Sequence, residues 1–225
     1  MKKRIQTDSF VLASAIIFTG FLLYRFPFLY PQNIIFENVA DFLGMKFILK
    51  GIFLRMVARG HKKANSQKGR GLVITGPYTV VRNPMYFGSF LIGLGFVFIL
   101  WPWWGWPIFV GIFYLRFSRQ IRKEEEYLRA LFGNEFENYC RGVPRLFPQI
   151  ENLGKIKVKE AFPFQEAWVT KEKFGLLSWP VLAVLLDIIQ QKIVFGWANV
   201  KQMVVIFLAA IIVFILELCY YYKRT

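Results

Sequence analysis

The stretch PMYFGSFLIGLGFVFILWPWWGWPIFVGIFYLRF, residues 84–117, decides the fold class of this chain. It holds two apolar runs, at about 84–100 and 108–117, separated by a turn that is rich in tryptophan and proline. A helix needs about 17–25 apolar residues to cross a bilayer, and tryptophan is enriched at the level of the lipid headgroups. The stretch therefore predicts two membrane-embedded helices joined at the membrane surface, although the second run is short.

The rest of the chain repeats this pattern. Of its 225 residues 56% are hydrophobic, more than the roughly 45–50% of soluble domains, and they are bunched into runs. We predict an all-α fold, a polytopic membrane bundle of about six transmembrane helices. Residues 1–148 would form a core of four spans and an emerging helix, and 149–225 a polar connector with a two-span hairpin. The other four predicted spans lie at about 9–30, 34–57, 174–195 and 200–222.

The distribution of charge indicates the orientation. Lys and Arg outnumber Asp and Glu by 29 to 14, and the basic loops alternate with apolar runs. This is the pattern of membrane proteins whose basic loops remain in the cytoplasm, so it favours a bilayer over nucleic acid as the partner. We expect a multi-pass protein with both termini in the cytoplasm. The basic start MKKR precedes an apolar run without a clear cleavage site, which indicates a retained first span.

Few residues are suited to binding a metal. Cys140 and Cys219 are the two cysteines and His61 is the one histidine. They form neither a disulfide framework nor a zinc site by themselves, so no metal is expected. His61 lies in the basic segment after the second span, and we interpret it as a solvated loop residue.

The second span carries charged residues along its whole length. The outer ones are expected to extend to the two membrane interfaces, which suits Glu37, Lys50 and Arg55. Charges near the middle of a span cost about 3 kcal/mol on insertion scales and usually face a cavity or a partner. Lining of a substrate cavity by Lys46 or Asp41 therefore stays open as an alternative.

The segment GPYTVVRNPMYFG, residues 76–88, leads into the third span. Asn83 is a favourable cap and Pro84 suits the first helical position. The free N–H groups of a helix start attract anions, and the guanidinium of Arg82 matches a carboxylate. The segment predicts either a capped helix with interfacial anchors or a site for an anionic small molecule.

The segment EEEYLRALFGNEFENYCRGVPRLFP, residues 124–148, follows the fourth span. Its three adjacent glutamates spread over different helix faces, so at least one should point toward the core beside Leu128. A solvated helix with pairs such as Glu125–Arg129 is the simpler interpretation. The two prolines of VPRLFP are expected to end this helix.

Taken together and in this order, the two segments resemble the isoprenylcysteine carboxyl methyltransferase and phospholipid methyltransferase superfamily of integral membrane enzymes. The resemblance covers about residues 35–148. Asn83 stands where the family has His, and Phe136 where it has Tyr. Asn keeps a donor amide but cannot titrate. The matching residues are Gly76, Pro77, Tyr78, Arg82, Pro84, Tyr86, Gly88, Glu124, Glu125, Leu128, Phe132, Gly133, Tyr139, Arg145 and Pro148.

The resemblance implies transfer of a methyl group from S-adenosylmethionine to a lipophilic acceptor, either a prenylcysteine-like carboxylate or a lipid, in a cytoplasmic cofactor pocket. The catalytic residues it implies are Glu124, Glu125 and Arg145. The cofactor-binding residues it implies are Tyr78, Arg82, Asn83, Pro84, Tyr86, Glu124, Glu125 and Tyr139. An NADPH-dependent membrane reductase of the sterol-reductase type and a non-catalytic membrane scaffold are the alternatives, and the oligomeric state is left open.

Overall fold

The computed structural model describes residues 17–30, 33–66, 71–148 and 164–224. Within these ranges the regular elements are all helical, which confirms the predicted all-α class. Three short 3-10 turns, Pro27–Leu29, Gly76–Thr79 and Lys171–Phe174, lie between longer helices. The helices are α1 (17–25), α2 (Ile34–Asn65), α3 (Pro84–Leu100), α4 (Gly105–Gly142), α5 (Phe164–Trp168), α6 (Gly175–Phe195) and α7 (Val200–Arg224).

Each predicted span falls on one of these helices, apart from the part of the first span before residue 17, which lies outside the described residues. In the part of the chain that the structure describes, two segments are long and apolar enough to cross a membrane, Lys171–Phe195 and Val200–Tyr221. They coincide with the predicted fifth and sixth spans. α3 is apolar and matches the predicted third span, but it has 17 residues. The six-span topology stays a prediction.

Helix α2 is the centre of the bundle and packs closely against α3 through glycines. A Cβ atom added to Gly51 would lie 2.6 Å from the carbonyl oxygen of Gly88, and one added to Gly44 would lie 2.7 Å from that of Gly95. These distances leave room only for hydrogen, so the two backbones are in direct contact. Small residues let membrane helices approach in this way. Gly93 instead faces the ring of Phe109.

Helix α2 is longer than the predicted second span, and it continues through His61 to Asn65. The interpretation of His61 as a solvated loop residue is wrong. Its side chain is 5% exposed, and its Nε2 lies 2.8 Å from Oγ1 of Thr75. Gly76 packs over the ring with a φ of +59°, and a Cβ there would lie 2.7–2.9 Å from the ring atoms. His61 thus supports the turn that opens the 76–88 segment.

Several charged side chains of α2 contact the C-terminal helices. The Nζ atoms of Lys46 and Lys50 lie 2.6 and 2.9 Å from the carboxylate of Glu217 on α7. This ion pair, and not a substrate cavity, accounts for Lys46. Glu37 is 6% exposed and accepts a hydrogen bond of 2.6 Å from Nε2 of Gln190 on α6. The prediction that Glu37 extends to the membrane interface is therefore wrong.

A second ionic contact ties the start of the C-terminal hairpin to α2. Arg55 donates from Nε and Nη2 to the two carboxylate oxygens of Glu172, at 2.9 and 3.0 Å, and its Nη1 contacts Ser89 on α3. Nη1 of Arg59 lies 2.9 Å from the same carboxylate. Bidentate pairs of this kind fix geometry as well as charge. Ion pairs thus attach the C-terminal helices at two levels of α2.

Candidate functional site

A cavity of about 280 Å³ lies where the end of α2, the segment before α3 and the outer part of α4 meet. This is near the lower end of the range for small-molecule pockets. Its wall combines charged, hydroxyl and apolar groups. It contains all eight residues that the resemblance implied for cofactor binding, namely Tyr78, Arg82, Asn83, Pro84, Tyr86, Glu124, Glu125 and Tyr139.

The cavity is closed on one side because α4 is kinked at Gly133. This residue has φ +49° and ψ −123°, values that only glycine adopts without strain. The chain beyond it brings Phe136, which is 1% exposed, and Tyr139 onto the cavity wall. The helix then ends at Gly142, just before VPRLFP, as predicted from the prolines. The kink itself was not predicted.

Glu125 is the charged centre of the site and is 8% exposed. Nε of Arg145 lies 3.0 Å from its Oε2, and Nε of Arg82 lies 3.5 Å from its Oε1. These are ion-pair distances, but neither Nε–H points along them. Among the described residues both buried Nε–H groups therefore lack a hydrogen-bond acceptor. Two guanidinium groups thus flank the Glu125 carboxylate, and the carboxylate of Glu124 lines the same cavity.

The predicted pair Glu125–Arg129 does not form. Glu125 faces the core, as expected for at least one of the three glutamates. Arg129 instead lies 2.5 Å from Glu137, which follows the kink at Gly133.

Asn83 precedes α3 as predicted, but its side chain does not cap the helix. Its backbone carbonyl accepts from the N–H groups of Tyr86 and Phe87, so the helix starts on main-chain bonds alone. The amide Nδ2 donates to the carbonyl oxygen of Arg145 at 3.0 Å and to Oε1 of Glu125 at 3.3 Å. The predicted cap is wrong, because a buried carboxylate and a carbonyl compete for the same side chain.

Three tyrosines hold the wall of the cavity in place. The hydroxyl of Tyr86 donates to Oε1 of Glu124 at 2.7 Å, and that of Tyr139 donates to the carbonyl oxygen of Tyr78 at 2.6 Å. The Tyr78 hydroxyl in turn donates a hydrogen bond to the carbonyl oxygen of Ala58 on α2. Burial raises the pKa of the Tyr78 and Tyr139 hydroxyls, so both stay neutral donors at neutral pH.

Sequence reasoning missed several wall residues. Lys62 and Ser66 reach the cavity because α2 is longer than predicted, and no motif pointed to them. Arg145 was predicted as catalytic and reaches the site through Glu125. The wall also includes three motif positions that were given no role there, Leu128, Phe132 and Phe136. The other missed residues are Gly71, Leu72, Val73, Met85, Tyr127 and Leu131.

Chemically, the arrangement suits a ligand that carries charges of both signs. The guanidinium group of Arg82, which lines the cavity, can donate to an anionic group. The carboxylates of Glu124 and Glu125, with the faces of nearby aromatic rings, suit cationic groups. Because the cationic and the anionic side chains occupy different parts of the wall, they would orient such a ligand.

Comparison with known proteins finds that part of the chain is similar to methyltransferases. Residues 42–135 match the family model of the phospholipid methyltransferases. A protein-S-isoprenylcysteine O-methyltransferase of Schizosaccharomyces pombe is 35% identical over 134 residues, which are 56% of this chain and 56% of that protein. A protein of the same name from Saccharomyces cerevisiae is 30% identical over 125 residues, which are 50% of this chain and 52% of that protein.

The chain thus spans about half the length of the curated relatives it matches. No solved structure matches it significantly. The predicted resemblance to the isoprenylcysteine carboxyl methyltransferase and phospholipid methyltransferase superfamily is confirmed.

Proposed function

We propose that this chain, whose central segment carries the domain of the phospholipid methyltransferase superfamily, is an integral membrane methyltransferase that uses S-adenosylmethionine. Its acceptor would be the carboxylate of a lipophilic, prenylcysteine-like molecule. The observation that carries the proposal is the cavity on which both sequence segments converge, with the guanidinium group of Arg82 and the carboxylates of Glu124 and Glu125 on its wall. The names of the relatives support O-methylation as the reaction.

The wall of the cavity fits the chemistry of the methyl donor. S-adenosylmethionine carries a carboxylate, an ammonium group, a sulfonium and an adenine. Its carboxylate would accept from the guanidinium group of Arg82, which lines the cavity, while Arg145 would hold Glu125 in place. Glu124 would lie near its cationic groups, and the ring of Tyr86 or Tyr139 near the sulfonium or the adenine.

When bound, this donor would supply an electrophilic methyl group. That group would pass to the acceptor's carboxylate oxygen as its bond to sulfur breaks, which would give a methyl ester. A carboxylate carries no proton that must first be removed, so the reaction does not require a titrating residue at Asn83. The protein contributes orientation and the exclusion of water. Glu124, Glu125 and Arg145 would hold the reacting groups in line.

An acceptor dissolved in the bilayer has an apolar route to the cavity. Leu131 and Tyr127 line it, yet they are 56% and 65% exposed on the flank of α4. A prenyl chain would pack on these side chains while the polar end of the acceptor enters the cavity. A phospholipid amine is the alternative acceptor within the same superfamily.

The test is binding and turnover with the full chain in lipid nanodiscs. We expect S-adenosylmethionine to bind, and Arg82→Ala and Glu124→Gln each to weaken binding by about 10–100-fold, as for the loss of a charged hydrogen bond. Glu126→Gln is the matched control, because Glu126 is the exposed neighbour on α4 and does not line the cavity. Its affinity should equal that of the unsubstituted chain.

Turnover identifies the acceptor. Transfer of labelled methyl to a prenylcysteine analogue and not to phosphatidylethanolamine is the expected result. The reverse preference would assign the chain to lipid methylation. Binding of NADPH without S-adenosylmethionine would favour the reductase, and binding of neither ligand would favour a scaffold.

A further inference from the structure

A second cluster of charged residues lies far from the cavity, between α2 and α6. It comprises Glu37, Asp41 and Asp187, which are 6%, 5% and 5% exposed. One carboxylate oxygen of each lies within 4.8 Å of those of the other two. At about 1.5 Å per residue along α2, Asp41 is roughly 30 Å from Lys62 on the cavity wall. The cluster is therefore separate from the candidate active site.

The negative charge of the cluster is not balanced by the part of the chain that the structure describes. There, none of the three carboxylates pairs with a Lys or Arg, and Lys46 one turn away is paired with Glu217. Nε2 of Gln190 donates to Glu37, and that of Gln191 lies 3.4 Å from Asp187. Buried carboxylates without a counter-charge are strongly unfavourable. Such a cluster calls for a cation or for protons.

Asp41 is the observation that points to a ligand. Asp41 is only 5% exposed, and within the described residues neither of its carboxylate oxygens has a hydrogen-bond partner. The side-chain oxygen of Gln190, which is 1% exposed, likewise has no partner there, although the same amide touches Glu37. Unpaired oxygens of Asp41 and Gln190 thus accompany the cluster, since Gln190 contacts Glu37 through the nitrogen of the same amide. These are the ligand atoms that hard cations prefer.

The space beside these oxygens is small. A cavity of about 10 Å³ is lined by Asp41 and Asp187 together with apolar side chains of α2, α3, α6 and α7. A volume of that order holds about one water-sized sphere. It is too small for an organic substrate, so the alternative that Asp41 lines a substrate cavity is wrong.

We propose that Glu37, Asp41 and Asp187 bind one hard divalent cation, with the side-chain oxygen of Gln190 as a neutral ligand. Oxygen ligands at 2.3–2.6 Å from a Ca²⁺ ion lie at most about 5 Å apart, so the observed spacing suits Ca²⁺ without helix movement. The smaller Mg²⁺ requires a slight contraction. The ion joins α6 to α2 and so fastens the C-terminal hairpin to the rest of the bundle. The carboxylate and amide oxygens select hard ions over zinc.

The test uses the full chain in nanodiscs after removal of metals with EDTA. Addition of Ca²⁺, Mg²⁺ or Mn²⁺ at about a hundredfold over its Kd should raise the midpoint of thermal unfolding by about 5–10 °C, whereas Na⁺ at equal ionic strength should not. Titration of Mn²⁺, followed by its electron paramagnetic resonance signal, should give one bound ion per chain. Absence of both responses in the unsubstituted chain overturns the proposal.

Substitutions separate this site from adventitious binding. Asp41→Asn should lose the shift and the bound Mn²⁺, and in EDTA it should unfold at a higher temperature than the unsubstituted chain, because a buried charge has been removed. Glu37→Gln provides the same test if Asp41→Asn does not fold. Glu217→Gln leaves the three carboxylates intact and should keep the shift. An equal shift in all variants would mean binding at surface sites only and would overturn the proposal.

Discussion

Asn83 shows how one side chain joins the two halves of the site. Its amide nitrogen donates hydrogen bonds to the carbonyl oxygen of Arg145 and to the carboxylate of Glu125, which both belong to the second sequence segment. A histidine, which the family has at this position, also offers a ring N–H donor. The shared property of the two residues is donation and not titration. We infer that this position keeps Glu125 in place and moves no proton.

Substitutions of Asn83 test this role. We expect Asn83→Ala to lower stability by about 1 kcal/mol, the net value of a typical hydrogen bond, and to weaken binding of S-adenosylmethionine by about 5–10-fold. Asn83→His should retain most of the stability and most of the binding affinity, because a ring N–H can replace the amide donor. Isothermal titration and thermal unfolding measure the two effects, with the exposed Asn138→Ala as the control. A histidine variant as weak as the alanine variant would contradict a donor role.

At the scale of residues, the sequence identified the side chains of the site but not the contacts that each one makes. The residues of the two segments do meet at one cavity, since their spacing is tied to recognisable motifs. The bonds of Asn83, the ion pairs of Glu125 and the burial of His61 depend on contacts between residues distant along the chain. Local patterns hold no information on such contacts. The cluster of Glu37, Asp41 and Asp187 was missed for the same reason, because Asp187 lies on a different helix from the other two.

At the scale of elements, helix α4 owes its shape to Gly133. A Cβ at this position would meet nothing within 4 Å, so the glycine is required by its φ of +49° and not by space. The kink places Phe136 and Tyr139 beside the cavity and lets Arg129 reach Glu137. Without it the helix would continue straight, and these residues would leave the wall.

We expect Gly133→Ala to destabilise the protein by about 1–3 kcal/mol, the usual cost of a residue held in an unfavourable backbone region. If α4 straightens instead, stability is kept and binding of S-adenosylmethionine falls, since Tyr139 is displaced. Thermal unfolding and titration together separate these results. Gly142→Ala is the matched control, because it ends the same helix in open space without a positive φ, and it should change neither quantity. A Gly133→Ala chain that is unchanged in both would show that the kink is dispensable.

The limits of the helices were predictable where hydrophobicity alone sets them. Helix α3 has the predicted bounds, from the proline at its first position to the tryptophan-rich turn. The end of α2 was not predictable, since its polar residues are held helical by tertiary contacts. A Cβ at Gly60 would lie 2.7–2.8 Å from atoms of Ala167 on α5, and His61 packs under Gly76.

At the scale of the whole molecule, the two ends of the bundle differ in charge. The cavity end carries exposed basic residues from α2 and α4, while the buried carboxylates lie at the other end of α2. A bilayer orients helices so that short basic loops stay in the cytoplasm. The cavity is therefore expected to open to the cytoplasm, where a water-soluble methyl donor would be available. The turn between α6 and α7 would then lie on the far side.

This orientation can be tested with single cysteines in a chain that carries Cys140→Ser and Cys219→Ser. Asn65→Cys marks the end of α2 near the cavity, and Asn199→Cys marks the turn between α6 and α7; both positions are exposed. In spheroplasts of a bacterial host, a membrane-impermeant maleimide should label Asn199→Cys at once and Asn65→Cys only after permeabilisation. The reverse pattern would place the cavity outside, away from the methyl donor. Labelling of both cysteines without permeabilisation would show that the two positions do not lie on opposite sides of the bilayer.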